Sequence, residues 1–250
     1  MNHQKRIAGH GRRSWTCVSA SICLTLLAIA PPMGVAAERN PARGSAAPVR
    51  GGAGSVAPVV SSEARQLAEW VALTADHAGA PFIIVDKKRA SVLVFEVDAR
   101  LRAHSAVLLG SALGDDSVPG IGTRPMAQIL AAERTTPAGR FVAERGRNAE
   151  GEDVVWVDYD AAVSMHRVRT KNSAERRAAR LASPTIADNR ISYGCINVPV
   201  AFYEGFIQPI FALRRAVVYV LPDVKSVAEV FGVPRAAASG RYESLPVNDR

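Results

Sequence analysis

The sequence predicts a mostly β domain, a sandwich or barrel of largely antiparallel strands with a few peripheral helices. Three observations support this fold class. Short apolar or β-branched runs follow one another closely from residue 82 onward, turn-forming residues separate them, and helical patterns are few and come late. Closely spaced strands without intervening helices favour antiparallel pairing over βαβ units.

The individual elements follow from the same patterns. Strands are predicted at 82–85, 91–97, 101–109, 154–157, 161–168 and 217–221. The first three form a β-meander, because only short turn-like stretches separate them. Helices are predicted at 173–181, 200–213 and 226–231.

Residues 1–37 have the three parts of a secretory signal peptide: a basic stretch ending at Arg13, an apolar run, and small residues at the end. The alternative is an uncleaved membrane anchor. We expect cleavage after Ala36 or Ala37, because the apolar run is short and a Pro-Pro pair interrupts it. The protein is therefore predicted to be exported to the periplasm or cell wall, without stable membrane insertion after cleavage.

The rest of the chain divides into four parts. Residues 38–60 are rich in Pro, Gly, Ala, Ser and Arg and predict a flexible linker. A helix capped by Ser61 or Ser62 is predicted over 61–80, with a helical repeat at Leu67, Trp70, Val71, Thr74 and Ala78. The β domain then covers 81–222, and 223–250 form a C-terminal tail.

Composition and charge limit the classes of partner. The chain has 250 residues, of which 48% are apolar and 22% charged, as in soluble globular proteins. Four of its 31 basic residues lie in the signal peptide, which leaves 27 against 23 acidic ones. This surplus is too small and scattered to predict nucleic-acid binding, but it suits a substrate that carries carboxylates.

The number and positions of the cysteines limit what Cys195 can do. Cys17 and Cys23 leave with the signal peptide, so the mature protein has only Cys195. An internal disulfide and a zinc site with several thiolates are therefore excluded. In an oxidising compartment, a lone thiol is expected to be either a buried apolar group or a functional one.

The neighbours of Cys195 favour function. The sequence Ser-Tyr-Gly-Cys-Ile-Asn at 192–197 lies between a predicted loop and a predicted helix. A glycine before a nucleophile lets the backbone turn sharply and brings N–H groups close to the reacting carbonyl, where they stabilise an oxyanion. A free thiol has a pKa of about 8.5, so the cysteine needs a base.

The mature chain offers three histidines. His77 lies in the N-terminal helix and His104 early in a strand among polar residues, so both are expected at the surface. His166 follows the apolar part of a predicted strand, from which its side chain can project towards a neighbouring loop. Such a histidine alone is usually structural, but beside a loop thiol it is a candidate base.

These motifs resemble the L,D-transpeptidases with a YkuD-type catalytic domain. The family signature is a strand-borne histidine followed by Ser/Thr-x-Gly-Cys, an apolar residue, and Arg or Asn, as in His166 and 192–197. The family's upstream Thr-Pro-x-Gly-x-Phe occurs at 136–141. The resemblance covers about 81–222.

The sequence departs from the family in three places. Tyr193 stands where many members have histidine, and Arg167 follows the base where many have glycine. The interval between base and nucleophile is long and contains a basic segment at 174–180. These departures concern acceptor choice and substrate fit.

The resemblance implies an L,D-transpeptidase-like β fold and a two-step acyl transfer on peptidoglycan stem peptides. Cys195 would attack the peptide carbonyl at the L-centre of the diamino acid in a tetrapeptide stem and release D-alanine. An amine of a second stem would then resolve the thioester and form a 3→3 cross-link. No metal or cofactor is implied, and we expect a monomer.

The resemblance also assigns roles to side chains. His166 would take the proton of Cys195, N–H groups around Gly194 and Cys195 would hold the oxyanion, and the Arg167 carbonyl would orient the imidazole. Ser192 and Asn197 would shape the loop, with Asn197 also able to contact substrate.

The remaining residues of interest have open roles. Tyr193 would line the pocket or simply pack. Several basic residues would either attract stem carboxylates or form a solvated face: Arg169, Lys171, Arg176, Arg177 and Arg190. The segment 135–141 would support the site.

Three alternatives remain. An L,D-carboxypeptidase or amidase would use the same thiol with water as the acceptor. A non-catalytic cell-wall-binding module would be expected to lack Cys195 or His166. A papain-type protease is disfavoured, because its cysteine precedes its histidine in the chain.

Overall fold

The computed structural model describes residues 60–234. The predicted signal peptide, the predicted linker up to residue 59 and the tail from residue 235 lie outside the described residues. Within 60–234, no helix has the length and apolar character needed to cross a membrane.

The described residues form ten strands in two sheets. The strands are β1 (Phe82–Asp86), β2 (Ser91–Phe95), β3 (Leu101–Ala106), β4 (Leu109–Gly110), β5 (Gly139–Arg147), β6 (Asp153–Asp158), β7 (Val163–Arg167), β8 (Arg190–Ser192), β9 (Ile196–Val198) and β10 (Ala216–Val220). Eight of them form one sheet with the order β3-β2-β1-β10-β5-β6-β7-β9, and β4 pairs with β8.

The large sheet is mostly antiparallel, which confirms the predicted fold class. Its two parallel pairings are β1 with β10 and β7 with β9. Leu108, just after edge strand β3, forms an antiparallel bridge to Asn197 in the opposite edge strand β9. The sheet therefore curls until its two edges nearly meet.

Five described segments are α-helical: α1 (Ser62–Thr74), α2 (Arg177–Leu181), α3 (Val200–Phe202), α4 (Gln208–Phe211) and α5 (Val227–Phe231). A π-helical turn at Tyr203–Ile207 joins α3 to α4. Single 3₁₀ turns occur at Lys87–Arg89, Ile121–Thr123, Met126–Gln128, Ala131–Glu133, Ser173–Glu175 and Ile186–Asn189. The fold is thus a curled sheet with short peripheral helices.

Both faces of the central strands are covered. All five residues of β1 are buried. Ile83 and Val85 belong to the core inside the curl, together with Phe202 of α3 and with Ile210 and Phe211 of α4. Phe82 and Ile84 belong to a second core that α1 and α5 cover. Strands buried on both faces read as continuous apolar runs, which explains why β1 was predictable.

The N-terminal helix is shorter than predicted. It begins as expected, because the Ser61 side chain accepts the N–H of Ala64 at 3.0 Å. It ends at Thr74 rather than near residue 79, because Ala75 adopts a left-handed conformation and its N–H caps the helix. Thr74, the last residue of the helix, is exposed, and so is Ala78 beyond its end, so the predicted extension of the helix through Ala78 was wrong.

Several other predicted boundaries were wrong. Strand β2 ends at Phe95, the predicted strand 101–109 divides into β3 and β4, and the predicted helix 173–181 breaks at Arg176, whose φ is 49°. The nine-residue strand β5 lies in the middle of the large sheet, although the predicted strands include none between residues 109 and 154.

His77 is buried rather than on the surface. Only 7% of it is exposed, its ring stacks on Phe82 with centroids 5.9 Å apart, and its Nδ1 accepts the N–H of Gly79 at 3.0 Å. This histidine closes the turn after α1. His104 is exposed, as predicted.

Candidate active site

Neighbouring strands β7 and β9 bring the cysteine and the histidine together. Their parallel register aligns His166 with Asn197 and Met165 with Ile196. Met165 and Ile196 are fully buried in the core. Because side chains alternate along a strand, Ser164 and His166 on one strand and Cys195 and Asn197 on the other face away from this core.

The thiol of Cys195 is half-buried. Its Sγ lies 3.7 Å from Oγ of Ser164 and 3.7 Å from the carbonyl oxygen of Ala162. Burial raises the pKa of the Cys195 thiol, but hydrogen bonding with His166, the charge of the imidazole, and hydrogen bonds from Ser164 lower it by more. The net effect is a pKa below the ordinary value, as a nucleophilic cysteine requires.

The imidazole of His166 is held by the main chain. Its Nδ1 lies 2.8 Å from the carbonyl oxygen of Arg167, and because a carbonyl only accepts, Nδ1 carries the hydrogen. Nε2 is left as the basic nitrogen. The Arg167 side chain points elsewhere: its Nε donates to Glu204 at 3.0 Å and its guanidinium stacks on Tyr203.

Three side-chain hydrogen bonds fix the loop around Cys195. Ser192 Oγ donates to the Cys195 carbonyl at 2.6 Å and accepts the N–H of Gly194 at 3.1 Å. Asn197, which is fully buried, donates from Nδ2 to the same carbonyl at 3.2 Å. The side chains of Ser192 and Asn197 thus both hold the Cys195 carbonyl.

The backbone N–H groups of this loop are not equivalent. The N–H of Gly194 is donated to Oγ of Ser192 and is therefore occupied in this structure. By contrast, no hydrogen bond within residues 60–234 uses the N–H of Cys195. This single amide is free to bind an oxyanion.

Gly194 itself is required by the geometry. Its φ is 128°, and a Cβ at this position would lie 2.8 Å from the carbonyl oxygen of Thr135. Any other residue would therefore be strained and would collide with the backbone.

A cleft of about 440 Å³ is lined by residues of both site strands and the loop between them, among them Ser164, His166, Ser192, Cys195 and Asn197. Trp156 and Met126 contribute apolar surface, and the ring of Tyr193 lies under the Arg134 guanidinium, 4.0 Å from ring centroid to Cζ. A second cavity of about 310 Å³ shares His166, Arg169 and Lys171 with the cleft. The imidazole thus borders both spaces.

The predicted basic residues separate into different surroundings. Arg169 lies in the cleft and pairs with Glu150 and Glu152. Arg190 is partly buried, donates to Asp223 at 2.7 Å and lines a different cavity, so the structure does not bring it to Cys195. Arg176 also lies outside the cleft.

Arg177 is the cleft residue that sequence reasoning undervalued. Its side chain is only 15% exposed, and its Nη1 donates to Oδ1 of Asn197 at 2.6 Å. A run of arginines predicts a solvated face, and only the break at Arg176 turns Arg177 inward. No signal in the local sequence predicts this break.

Comparisons with known proteins concern the fold. No protein-family profile and no curated protein matches the chain. Solved structures that match include the helical cell shape determining protein Pgp2 from Campylobacter jejuni, at 14% identity and a TM-score of 0.38 over 59% of this chain and 49% of that one. An L,D-transpeptidase from Mycobacterium smegmatis matches at 13% identity and a TM-score of 0.34, over 56% of this chain and 58% of that one.

The catalytic domain of the E. faecium L,D-transpeptidase also matches, at 16% identity and a TM-score of 0.30, over 57% of this chain and 98% of that domain. The chain spans about half the length of the Pgp2 structure. The chemistry of the site therefore rests on its own geometry: a thiol of lowered pKa, an oriented imidazole and a free backbone N–H form the arrangement used in covalent acyl transfer.

Proposed function

We propose that the protein is a peptidoglycan L,D-transpeptidase that uses Cys195 as its nucleophile and acts in the periplasm or cell wall. The observation that carries this proposal is that His166 and Cys195, the only cysteine of the predicted mature chain, line one cleft, where the imidazole lowers the pKa of the thiol. The order of His166 and Ser192-x-Gly-Cys195, which resembles the family signature, supports it.

In the acylation step, His166 takes the proton of Cys195 and the thiolate attacks the carbonyl at the L-centre of the diamino acid. The N–H of Cys195 stabilises the oxyanion, and one such donor contributes roughly 3 kcal/mol to lowering the barrier. The imidazolium then protonates the leaving D-alanine amine, and a thioester remains on Cys195. The Arg167 carbonyl keeps Nε2 directed at the reacting atoms throughout.

In the second step, an amine of another stem attacks the thioester. His166 accepts the proton of this amine, a 3→3 peptide bond forms, and the thiol is regenerated. Three cationic side chains of the cleft, Arg169, Lys171 and Arg177, pair with glutamates but outnumber the two acidic residues that line it, Glu150 and Glu175, and this surplus suits a substrate that carries carboxylates. Water in place of the amine would give a carboxypeptidase.

The decisive experiment is mass spectrometry of purified disaccharide-tetrapeptide after incubation with the mature protein. A cross-linked dimer supports the proposal, a tripeptide monomer indicates the carboxypeptidase, and unchanged substrate indicates a binding module. Cys195→Ala is the inactive control. Loss of substrate that persists in Cys195→Ala would contradict the assigned nucleophile.

A carbapenem provides a second test that needs no acceptor. We expect a single acyl adduct on the wild-type protein and none on Cys195→Ala. His166→Ala is expected to slow acylation about 10²- to 10⁴-fold, the usual contribution of a general base. His104→Ala, which changes an exposed histidine, is the matched control and should react at the wild-type rate.

A further inference from the structure

A buried threonine, Thr136, contacts the loop at 192–195, the cysteine loop. Thr136 has no exposed surface. Its Oγ1 lies 2.9 Å from the backbone nitrogen of Gly110, whose N–H it accepts, and 2.8 Å from the carbonyl oxygen of Gly194. Because a carbonyl only accepts, the hydroxyl hydrogen of Thr136 is donated to Gly194.

This hydrogen bond acts on the peptide group that also carries the N–H of Cys195. The carbonyl of Gly194 and the N–H of Cys195 belong to one planar trans unit, in which they point in opposite directions. Holding the carbonyl at buried Thr136 therefore directs the N–H away from Thr136. Cys195 itself lines the cleft. Its N–H is the amide that no hydrogen bond within residues 60–234 uses.

Close backbone contacts and a buried lysine hold the segment that contains Thr136. A Cβ on Gly110 would come within 2.3 Å of the Arg134 carbonyl oxygen, and one on Gly194 would come within 2.8 Å of the Thr135 carbonyl oxygen. The backbone of residues 134–136 therefore packs directly against Gly110 and Gly194, with no room for a side chain at either glycine. Nζ of Lys87, which is fully buried, also donates to the carbonyl oxygen of Thr136 at 2.9 Å.

We propose that Thr136 is a positioning residue for acyl transfer, which aims the N–H of Cys195 at the oxyanion. The inference rests on the proposed function. Donation to the Gly194 carbonyl also polarises the peptide group and makes its N–H a stronger donor. Thr136 should therefore affect reactions that pass through an oxyanion, without changing the thiolate, which His166 and Ser164 stabilise.

Two reagents separate these effects. A carbapenem acylates the thiolate through a tetrahedral oxyanion. Iodoacetamide alkylates it directly: the S–C bond forms as iodide leaves, with no oxyanion. Thr136→Val keeps the shape of the side chain and removes the hydroxyl, whereas Thr136→Ser keeps the hydroxyl.

We expect Thr136→Val to be acylated at least about tenfold more slowly, since complete loss of an oxyanion donor costs about 10²- to 10³-fold in rate. Its alkylation rate and the pH midpoint of alkylation should equal those of the wild type. Thr136→Ser should retain acylation within a few-fold of the wild-type rate. Thermal melting of each variant establishes that the measured protein is folded, and Thr136→Ala replaces Thr136→Val if the valine variant does not fold.

Each other outcome has a definite meaning. Acylation of Thr136→Val at the wild-type rate would overturn the inference and leave the proposed function intact. An equal fall in acylation and alkylation would overturn it too, because the hydroxyl would then support the thiolate or the fold. A wild-type protein that the carbapenem does not acylate would remove the proposed function and the inference together.

Discussion

The reactivity of Cys195 depends on opposing influences at a single residue. Burial favours the neutral thiol and is the largest single influence, but hydrogen bonding with His166, the charge of the imidazole and the hydrogen bonds from Ser164 together favour the thiolate and outweigh it. Without the imidazole, burial remains with only the weaker hydrogen bonds from Ser164 to oppose it. The pKa of Cys195 is therefore expected to rise when His166 is removed.

The pH dependence of alkylation tests this balance. The rate with iodoacetamide should fall as pH decreases through the pKa of Cys195, with a midpoint below that of an ordinary thiol. His166→Ala should move the midpoint to higher pH and slow alkylation at pH 7, whereas His104→Ala should change neither. A midpoint that does not move in His166→Ala would show that the imidazole does not stabilise the thiolate.

The side chain of Asn197 joins the cysteine loop to the basic segment at 174–180 by two hydrogen bonds. Its amide accepts from Arg177 and donates to the Cys195 carbonyl, and it is fully buried. Asn197→Ala would leave the guanidinium without this acceptor and the carbonyl with Ser192 as its side-chain donor. We expect a loss of about 1–3 kcal/mol in the free energy of unfolding, measured in urea. Unchanged stability would mean that these hydrogen bonds are replaced by solvent.

At the scale of elements, a buried carboxylate connects the loop after β4 to the segment after β10. Asp115 accepts the backbone N–H groups of Asp223, Val224 and Lys225, and Nζ of Lys87 lies 3.0 Å from its Oδ1. Burial raises the pKa of Asp115, but the N–H groups of Lys225 and Asp223 and the Lys87 ammonium lower it by more, to about 2. The same Lys87 holds the carbonyl of Thr136, so this connection supports the cysteine loop.

The lowered pKa of Asp115 predicts a pH-dependent stability. Because the folded pKa lies below the unfolded one, the contribution is complete above about pH 4 and is lost as pH falls towards 2. It corresponds to about 2 kcal/mol. Asp115→Asn should therefore be at least that much less stable than wild type in urea at pH 7, and the difference should shrink between pH 4 and 2. A difference that is constant with pH would contradict this account.

The secondary-structure elements that could be predicted from the sequence are those whose residues are buried. Strands β1 and β10 are buried throughout and were predicted within a residue of their bounds. Strand β5 was missed because most of its side chains are exposed or half-buried, so its sequence shows no continuous apolar run. Its position in the sheet is set by pairing with β6 and β10, both of which follow it in the chain. Local patterns do not report such pairing.

The same distinction applies to the candidate site. Cys195, His166 and the Arg167 carbonyl lie within or beside recognisable motifs, and the structure brings them together. The use of the Gly194 N–H by Ser192 and the contact of Thr136 with the Gly194 carbonyl were not predicted. The second contact joins residues 58 apart, and only the folded chain reveals it.

At the scale of the whole molecule, two cores meet at the central strands. The inner core contains Met165 and Ile196, which position the site strands, and the outer core contains α1 and α5. Strands β1 and β10 contribute side chains to both cores. We therefore expect α1 and the curled sheet to unfold as one cooperative unit.

Leu67 tests this expectation, because it is a fully buried residue of α1 in the outer core. Leu67→Ala should lower the free energy of unfolding by about 2–5 kcal/mol, through lost apolar burial and a residual cavity. Leu73→Ala is the matched control: Leu73 lies on the same helix but is 68% exposed, so its substitution should have little effect.

The measurement uses two probes of urea unfolding in a Trp156→Phe background, where Trp70 on α1 is the remaining tryptophan of the predicted mature chain. Trp70 fluorescence reports the helix, and circular dichroism reports the sheet. Coincident transitions, both shifted by Leu67→Ala, are expected, because α1 packs directly on the central strands. Earlier loss of the fluorescence signal would show that α1 unfolds separately. Acylation by the carbapenem under native conditions should be unchanged in Leu67→Ala, since Cys195 and His166 lie on β7 and β9 and their neighbouring loop, away from the outer core.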